Sequence, residues 1–390
     1  MSGEALTVHP ADPLDRIDGM EEAEIADRID AIRTSMGSNL LILGHHYQRD
    51  SIIRHADLTG DSFQLSEMAA KADAKHIVFC GVHFMAESAD ILTRDDQSVT
   101  LPNLRAGCSM ADMADVGDVL EAWMDLLEHH DLEDPASRSD PEAPAGTDEG
   151  YLVPVTYMNS SAELKAFVGE HGGVVCTSSN ARGVLTWALE RAGGRGKVLF
   201  FPDQHLGRNT GLAMGIPAEA MTVWTPSDLD DGTIDRAAID ASRLILWHGF
   251  CSVHKRFTVD QIDRLRRMAP EAVVVVHPEC TRDVVEAADA NGSTGYIRTF
   301  VADQPPGAVI GVGTEINLVD RLNEEHPDKT VLCLDPFVCP CSTMYMIHPM
   351  YLLDVLERLD RGDVPNRIVV PQEVQSGSRL ALDRMLAIIR

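Results

Sequence analysis

The sequence predicts an α/β fold built on parallel sheets, and two observations support this prediction. Short apolar runs rich in valine, isoleucine and leucine alternate along the chain with longer amphipathic stretches. Continuous apolar runs are typical of strands buried on both faces, and repeated strand–helix alternation is typical of parallel sheets. The nine or more candidate strands are too many for one eight-stranded barrel. Several smaller sheets are therefore expected, with a barrel that carries additional elements as the alternative.

The candidate elements follow one another in a regular order. Strands are expected at 39–43, 76–80, 152–156, 173–176, 197–201, 243–247, 272–276, 308–312 and 329–334. Helices are expected at 62–73, 109–129, 160–170, 258–269 and 315–325, with a last amphipathic helix in 371–390. Residues 1–30 are expected to form a tail or a peripheral helix. Residues 128–149 hold eight acidic residues and three prolines, which predicts a solvated loop.

The composition limits both the domain count and the class of ligand. A chain of 390 residues corresponds to two or three domains of ordinary size. Its 61 acidic and 33 basic side chains give a formal net charge of −28, which argues against binding to a nucleic-acid backbone or an anionic membrane. The sequence shows neither a membrane-spanning apolar run nor a secretory or transit peptide. We therefore expect a soluble cytoplasmic protein, whose acidic surface reflects either salt adaptation or an ordinary acidic enzyme.

Residues whose side chains can transfer protons or bind metals recur directly after the apolar runs. The segments are GHHYQ, GVHFMAES, TYMNSS, TSSNA, PDQHLG, HGFCSVHK, HPEC and GTE. Ordinary turns would favour glycine, asparagine, aspartate and serine at these places, whereas histidine, tyrosine, cysteine and glutamate recur here. Because ligands of open α/β sheets bind at the carboxyl ends of the strands, we expect an active site that faces these ends.

The eight cysteines, at 80, 108, 176, 251, 280, 333, 339 and 341, raise the question of which are ligands. Disulfides are not expected in a cytosolic enzyme, and the sequence has neither a compact ferredoxin pattern nor a paired C-x2-C zinc pattern. Cys108, Cys251 and Cys341 lie in glycine-containing or turn-like contexts, RAGCSM, HGFCSVH and CPCSTM. They are either dispersed core cysteines or three ligands of one metal centre with an open position that can polarise a substrate hydroxyl.

Two segments carry candidate acid/base residues. His277 and Glu279 flank a proline after a run of four valines, which suits either an acid/base pair or an exposed turn. His45 and Tyr47 would point the same way from an extended segment, whereas His46 would point elsewhere.

A third set of candidates consists of hydroxyl residues near predicted helix starts, namely Ser62, Ser178, Ser293 and Thr294. Each of them suits either a helix cap or an anion site at a helix N-terminus.

The residues together resemble the quinolinate synthase family, the iron–sulfur enzymes of de novo NAD biosynthesis. The matching segments are HHYQ, ADLTGDS, GVHFMAESA, LPNLRAGCSMADM, VTYMNSSAELKA, CTSSNA, FPDQHLG, WHGFCSVHKRFT, HPEC, GSTG, GTE and C-x-x-M-x-M, in order from about residue 39 to about residue 356. The resemblance implies three similar αβα sandwich domains with parallel sheets around a pseudo-threefold axis and an active site at their junction. It also implies condensation of iminoaspartate with dihydroxyacetone phosphate to give quinolinate, phosphate and two waters.

The resemblance also implies roles for individual residues. A [4Fe-4S] cluster would be held by Cys108, Cys251 and Cys341, and its open iron would polarise the last hydroxyl for elimination. Tyr47 and Glu279 would assist proton transfers, and His277 and His45 would contact substrate carboxylate or hydroxyl groups. The remaining implied contacts are Tyr157 and Asn159 with the intermediate, Ser62, Ser178, Ser293 and Thr294 with phosphate or carboxylate oxygens, and His254 and Lys255 as positive charge.

Domain boundaries and partners complete the expectations. The N-terminal tail or helix covers 1–30, and the three domains cover 31–108 with 342–390, 109–250 and 251–341. A functional link to an aspartate oxidase or aspartate dehydrogenase is implied, since iminoaspartate must be supplied. Cys339, two residues before Cys341, departs from the family pattern, and so does the long acidic segment 128–149. The competing hypotheses are a zinc- or magnesium-dependent hydrolase or aldolase and a redox-sensing iron–sulfur protein.

Overall fold

The computed structural model describes residue 17 and residues 19–140, 142–335 and 340–388, which form three sheets flanked by helices. The strands are β1 (Leu40–His45), β2 (Leu58–Gly60), β3 (His76–Cys80), β4 (Ser98–Thr100), β5 (Leu152–Tyr157), β6 (Val174–Cys176), β7 (Lys197–Phe201), β8 (Met221–Trp224), β9 (Leu244–Trp247), β10 (Val273–Val276), β11 (Ala290–Asn291), β12 (Val309–Gly313), β13 (Thr330–Cys333) and β14 (Arg367–Ile368). The predicted α/β class is confirmed.

The helices connect successive strands and cover the sheets. They are α1 (Glu22–Met36), α2 (Asp50–Ile53), α3 (Ser62–Lys71), α4 (His83–Leu92), α5 (Val116–His129), α6 (Ala162–Glu170), α7 (Ala181–Ala192), α8 (Gln204–Ala213), α9 (Pro226–Asp230), α10 (Arg236–Ala241), α11 (Val259–Met268), α12 (Arg282–Ala287), α13 (Thr294–Asp303), α14 (Ile316–Glu325), α15 (Pro349–Asp360) and α16 (Gln372–Ile388). Within the described ranges, no helix combines the length and the apolar character needed to cross a bilayer.

All three sheets share one strand order. Written from the corresponding edge, the first sheet runs β2-β1-β3-β4-β14, the second β6-β5-β7-β9-β8 and the third β11-β10-β12-β13. In each unit, one short strand lies on one side of the first strand, and two later strands lie on its other side. Strand β8 is added at one edge, and β14 is added at another as the only antiparallel strand among the described pairs. The repeated order gives three similar units.

The predicted strands are all present, and most of them have apolar side chains buried on both faces, whereas the edge strand β13 exposes Leu332. In β7, for example, Val198, Leu199, Phe200 and Phe201 are all fully buried. The strands that the sequence did not predict, β2, β4, β8, β11 and β14, have only two to four residues each. The helix predicted at 109–129 begins only at Val116, because the residues after Cys108 form a turn.

The N-terminal and acidic segments are more ordered than their composition suggests. Within the predicted tail or helix, α1 buries Ile25 and Ile29 against the core. The predicted loop between α5 and β5 is present in the described residues, and it is held by ion pairs. The Arg138 guanidinium donates to both carboxylate oxygens of Glu149 at 2.9 Å.

The last helix, α16, packs against α6 and β6 of the second unit. Ser378 Oγ donates to the carbonyl of Ala162 at 2.7 Å. The two helices cross at glycines, since a Cβ on Gly169 would collide with the Gly377 carbonyl oxygen. Residues 372–388 therefore connect the C-terminal end of the chain to the second sheet.

The apolar cores are divided unequally among the units. One continuous cluster of buried side chains fills the first and second units and includes residues of α15 and α16. The third sheet has a separate cluster on each face, one around Val274 and Ile262 and the other around Val275 and Ile310. The third unit thus has its own core, and the carboxyl ends of the three sheets meet at the cavity described next.

Candidate active site

A cavity of about 730 Å³ lies where the carboxyl ends of the three sheets meet. It brings together 13 of the 15 predicted site residues, all except Lys255 and Ser293. These residues are His45, Tyr47, Ser62, Cys108, Tyr157, Asn159, Ser178, Cys251, His254, His277, Glu279, Thr294 and Cys341. His46 does not line the cavity, as its predicted opposite orientation requires. Residues separated by almost 300 positions in sequence thus form one site.

The three cysteines that line the cavity occupy the same local structure, which we call the cysteine turns (108–113, 251–256 and 341–346). Each cysteine is followed by serine, and its carbonyl accepts a hydrogen bond from the backbone N–H four residues later. The donors are Asp112 at 3.1 Å, Lys255 at 3.0 Å and Tyr345 at 2.9 Å. A short 3-10 helix then completes each turn, at Ala111–Met113, His254–Arg256 and Met344–Met346. The cysteine turns therefore repeat once per unit.

Buried carboxylates hold two of the cysteine turns. The backbone N–H of Cys251 donates to Asp203 Oδ2 at 3.1 Å, and that of Cys341 donates to Glu315 Oε1 at 3.2 Å. Asp203 and Glu315 are the N-caps of α8 and α14. Burial raises the pKa of Glu315 to about 7 and that of Asp203 well above its ordinary value, the latter with a contribution from the nearby Glu279. In the first unit the N-cap position is taken by Val82, whose apolar side chain cannot accept a hydrogen bond from Cys108.

The environment of the thiols fits a sulfur-bound metal centre. Burial raises the pKa of the Cys108 thiol to about 12 and that of Cys251 well above its ordinary value. Backbone N–H groups oppose this effect, those of Ala111 and Met110 at Cys108 and that of His254 at Cys251. A bound metal ion reverses it, because a coordinating thiol is deprotonated. Three soft sulfur donors that face one buried cavity suit iron–sulfur or another thiolate-bound metal.

A second group of donors could hold a single metal ion. The ligand atoms of Cys251, His254 and Glu279 all lie within 4.8 Å of one another. This group mixes sulfur, nitrogen and oxygen donors, which zinc accepts. The cavity therefore offers two ways to bind a metal, and Cys251 belongs to both.

Glu279 lies at the centre of the acid/base residues. Its Oε2 accepts a hydrogen bond from His254 Nδ1 at 2.7 Å, and the hydroxyl of Tyr157 also donates to it. Burial alone raises the pKa of Glu279, but His277, His254 and the two hydrogen bonds together lower it to about 2. The rings of His254 and His277 stack with their centroids 4.3 Å apart. Glu279 is therefore ionised at neutral pH.

His45, the last residue of β1, and His277, the first residue after β10, share one protonation state. The Nδ1 atom of His45 accepts from the backbone N–H of Tyr47 at 3.1 Å, and that of His277 accepts from the N–H of Glu279 at 3.3 Å. Burial lowers the pKa of both imidazoles to about 3. A neutral imidazole that accepts at Nδ1 carries its proton on Nε2. Both side chains can therefore donate a hydrogen bond from Nε2 to a ligand oxygen.

Tyr47 reaches across to the third unit. Its hydroxyl is 2.7 Å from Thr314 Oγ1 and 3.5 Å from His254 Nε2. Burial, together with the charge of Glu279, raises the pKa of Tyr47 well above its ordinary value, against the effect of the Thr314 hydrogen bond. The phenol therefore keeps its proton at neutral pH and can donate it.

The predicted hydroxyl residues divide into two groups. Ser62 and Thr294 begin α3 and α13 and line the cavity, and Ser178 lines it beside Tyr157. Ser293 instead caps α13, because its Oγ accepts from the backbone N–H of Tyr296 at 3.3 Å. Three of the four thus face the space where a ligand would bind.

Lys255 also lies outside the cavity lining. Its side chain is exposed, and its ammonium group lies 3.6 Å from the centroid of the Phe250 ring. Cys339 falls outside the described residues.

Sequence reasoning missed several residues of the site. Asp61 and Thr177 line the cavity, and Thr314, Asp203 and Glu315 hold its residues in place. Asp61, Asp203 and Glu315 are N-caps of helices that follow strands. The signal available in the sequence was therefore a capping residue directly after an apolar run.

Comparison with known proteins decides the family. The family model described as Quinolinate synthetase A protein matches residues 27–387. The chain belongs to this family. Its similarity to quinolinate synthase from Corynebacterium glutamicum is 52% identity over 368 residues, which cover 94% of this chain and 88% of the relative. Quinolinate synthase from Geobacillus kaustophilus is 48% identical over 371 residues, which cover 95% of each protein. The resemblance to the quinolinate synthase family that the motifs indicated is confirmed, and the chain is an enzyme of that family.

Proposed function

We propose that the chain is a quinolinate synthase that condenses iminoaspartate with dihydroxyacetone phosphate to give quinolinate, phosphate and two waters. The observation that carries this proposal is that the three cysteine turns and the acid/base residues Tyr47, His277 and Glu279 share one cavity. The relatives named above carry the name of this activity. A reaction that joins two substrates through a new carbon–carbon bond places the enzyme among the transferases.

The proposed cofactor is a [4Fe-4S] cluster held by Cys108, Cys251 and Cys341. The support is the all-sulfur donor set in one buried cavity, with one cysteine from each unit. Three protein ligands for four iron ions would leave one iron open, and that iron would supply a Lewis acid for a substrate hydroxyl in dehydration.

The proposed proton transfers use Glu279 and Tyr47. The ionised carboxylate of Glu279 accepts a proton from the substrates during condensation and tautomerisation, and the hydroxyl of Tyr47 donates one. The Nε2–H groups of His45 and His277 hold carboxylate or hydroxyl oxygens, because both imidazoles are neutral. Tyr157 and Asn159 orient the intermediate from the second unit, where Tyr157 also holds Glu279.

The proposed anion contacts lie at helix N-termini. Ser62, Ser178 and Thr294 would donate to phosphate or carboxylate oxygens, and the helix dipoles of α3 and α13 favour negative charge there. Ser293 would act through its cap, which holds the first turn of α13 in place. His254 and the exposed Lys255 would add positive charge near the anionic substrates. None of the residues proposed to contact the anions is acidic. A net charge of −28 for the whole chain is therefore compatible with anionic ligands.

A single-metal hydrolase or aldolase is the second candidate function. The observation that favours it is the group of Cys251, His254 and Glu279, whose ligand atoms lie within 4.8 Å of one another. A zinc ion there would have three protein ligands and an open position for water or substrate.

Anaerobic purification tests these candidates. We expect a brown protein that contains iron and sulfide, forms quinolinate from the two substrates and loses activity in air. A colourless protein with zinc and without iron would favour the hydrolase or aldolase. A brown protein without turnover of the two substrates would favour a redox-sensing iron–sulfur protein.

The wider setting follows from the proposed substrates. We propose a place in NAD biosynthesis, downstream of an aspartate oxidase or aspartate dehydrogenase that supplies iminoaspartate. A cytoplasmic location is proposed because the described cysteines are all free thiols, which reducing compartments maintain. The proposed domains are 31–108 with 342–390, 109–250 and 251–341, and α16 crosses from the first domain to pack on the second. Each boundary falls at a cysteine, so Cys251, which follows the last strands of the second sheet, is counted with the second unit although it begins the third range.

A further inference from the structure

The residues that follow β1, β5 and β10 form three equivalent strand-end loops (46–48, 158–160 and 278–280). The central residue of each loop lines the cavity, and these residues are Tyr47, Asn159 and Glu279. The backbone carbonyls on either side of the central residue need hydrogen-bond partners, because the loops are largely buried. The source of these partners differs among the three loops.

Arg321 holds the first strand-end loop from the third unit. It belongs to α14, and its Nη1 and Nη2 donate to the carbonyls of His46 at 2.9 Å and Gln48 at 2.6 Å. Its Nε donates to the carboxylate of Asp50 at 2.8 Å. The Arg321 residue is only 9% exposed. One planar guanidinium thus fixes the backbone on both sides of Tyr47.

Asn209 holds the third strand-end loop from the second unit. It belongs to α8, and its Nδ2 donates to the carbonyls of Pro278 and Cys280, both at 2.8 Å. The Asn209 residue is 7% exposed. These carbonyls flank Glu279 as those of His46 and Gln48 flank Tyr47.

Arg321 and Asn209 occupy the same position in their units. Each lies six residues after the N-cap of its helix, Glu315 or Asp203, which is also the residue that holds a cysteine turn. The two contacts are therefore copies of one arrangement, in which the helix of one unit supports the loop of another.

The second strand-end loop lacks this support among the described residues. Ser88 has the equivalent position in α4, but its hydroxyl donates to the Phe84 carbonyl of its own helix at 2.8 Å and contacts only the side-chain sulfur of Met158 in the loop, at 3.5 Å. The Ser160 carbonyl instead accepts from Lys165 Nζ at 2.5 Å, within the same unit. The loops whose flanking carbonyls are held from another unit are thus the two that carry Tyr47 and Glu279, the proposed proton-transfer residues.

We propose that Arg321 and Asn209 are positioning residues that hold Tyr47 and Glu279 in their reactive places from neighbouring units. This proposal rests on the proposed function. The geometry of proton transfer is demanding, because a misplacement of about 1 Å can lower a rate about 100-fold. Because these contacts run between units, Tyr47 and Glu279 reach their reactive places only when the units pack together.

The experiment compares Arg321→Lys and Asn209→Ser with a matched control, Arg384→Lys. Arg384 also donates to two carbonyls, those of Gly169 and Gly173 at 2.8 Å, and to one carboxylate, that of Glu142. It lies outside the cavity lining and supports no strand-end loop. Asn209→Ser introduces the residue type that the first unit has at the equivalent position, Ser88.

We expect both test variants to lower kcat for quinolinate formation about 10- to 100-fold, with KM and iron content little changed. Arg384→Lys should lower the thermal midpoint to a similar extent while kcat stays that of the wild type. If Arg321→Lys and Asn209→Ser behave like Arg384→Lys, the proposal is wrong. Asp50→Asn should keep the wild-type kcat, since it leaves both carbonyl contacts of Arg321 in place.

Hydrogen exchange provides a readout that does not depend on turnover. Arg321→Lys should speed exchange of the amides in 46–50 and not in 278–282, and Asn209→Ser should do the reverse. Equal acceleration in both loops would show a general loss of stability and overturn the proposal. The two variants lie in different units, so misfolding of one leaves the other as the test. A wild-type protein that forms no quinolinate would refute the proposed function, while the exchange pattern would still decide the positioning role.

Discussion

The cysteine turns and the strand-end loops are both repeated three times around one cavity, yet they differ in what they repeat. The cysteine turns repeat backbone and side chain, with Cys-Ser and the same carbonyl hydrogen bond in every unit. The strand-end loops repeat only the backbone position, since Tyr47, Asn159 and Glu279 have different chemistry. The region proposed to hold the cofactor is nearly uniform, whereas the region proposed to face two dissimilar substrates has a different residue in each unit.

The largest expected effect comes from the uniform region. Replacement of Cys108, Cys251 or Cys341 by serine should abolish bound iron and activity to the same degree, because each cysteine is proposed to supply one equivalent ligand. Iron and sulfide analysis of anaerobically purified protein checks this. Cys80→Ala is the control, since Cys80 is buried in β3 and should keep the iron. Retention of iron after loss of one of the three would show that the turns are not equivalent.

A smaller effect is expected from the varied region. Glu279→Gln keeps the size of the side chain and removes the proposed proton acceptor, so kcat should fall about 100- to 10,000-fold while iron content stays unchanged. Steady-state assays with both substrates measure this. Glu286→Gln, at an exposed residue paired with Arg282 in the same unit, should leave kcat unaltered. Loss of iron in Glu279→Gln would instead make Glu279 a metal ligand.

The pH dependence of the free energy of unfolding should differ between equivalent positions of the units, because His45 titrates near neutral pH when unfolded and Tyr157 does not. Burial, with contributions from His46 and Arg321, lowers the pKa of His45 to about 3 from an ordinary value of 6.5. The unfolded chain therefore binds more protons than the folded chain between these values, and the free energy of unfolding falls as the pH is lowered through this range. From pH 6.5 to about pH 5, His45 should account for about 2 kcal/mol.

Denaturant unfolding of the anaerobic protein at several pH values measures this slope. His45→Gln should reduce the slope. Tyr157→Phe, at the equivalent position of the second unit, should leave it as in the wild type, because a phenol does not titrate there. An unchanged slope in His45→Gln would mean that His45 binds its proton over the same pH range in the folded protein as in the unfolded chain.

The smallest effect is expected at Ser293. Ser293→Ala removes the N-cap of α13 and should cost about 1 kcal/mol of stability, with a smaller rise in KM than the loss of a hydroxyl that contacts the ligand directly. Thr294→Val, one residue later, removes a hydroxyl that lines the cavity and should raise KM more. A raised KM in Ser293→Ala with unchanged stability would assign Ser293 to substrate binding.

Hydrophobic runs carried most of the fold prediction. Val273–Val276 and Lys197–Phe201 are strands because, apart from Lys197, their side chains are apolar on both faces, and that information is local. The short strands β2, β4 and β11 were missed because two or three residues do not establish a pattern.

The site was predictable only where the family motifs carried it. Cysteine spacing alone left Cys108, Cys251 and Cys341 as either core residues or ligands, and the motifs placed them together. The supports of the strand-end loops were not predictable, because Arg321 lies 275 residues from His46 in sequence. Nothing local to α14 distinguishes an arginine that binds loop carbonyls from one on a solvated helix face.

The repetition of one strand order on a single polypeptide has a further consequence. A homotrimer with the same architecture would place three identical side chains around its axis, because every subunit has the same sequence. Covalent linkage removes that constraint, so positions 47, 159 and 279 could each acquire a different residue while 108, 251 and 341 stayed the same. The chain thereby combines the symmetric pocket of a ring-shaped oligomer with the one-sided chemistry of a monomeric enzyme.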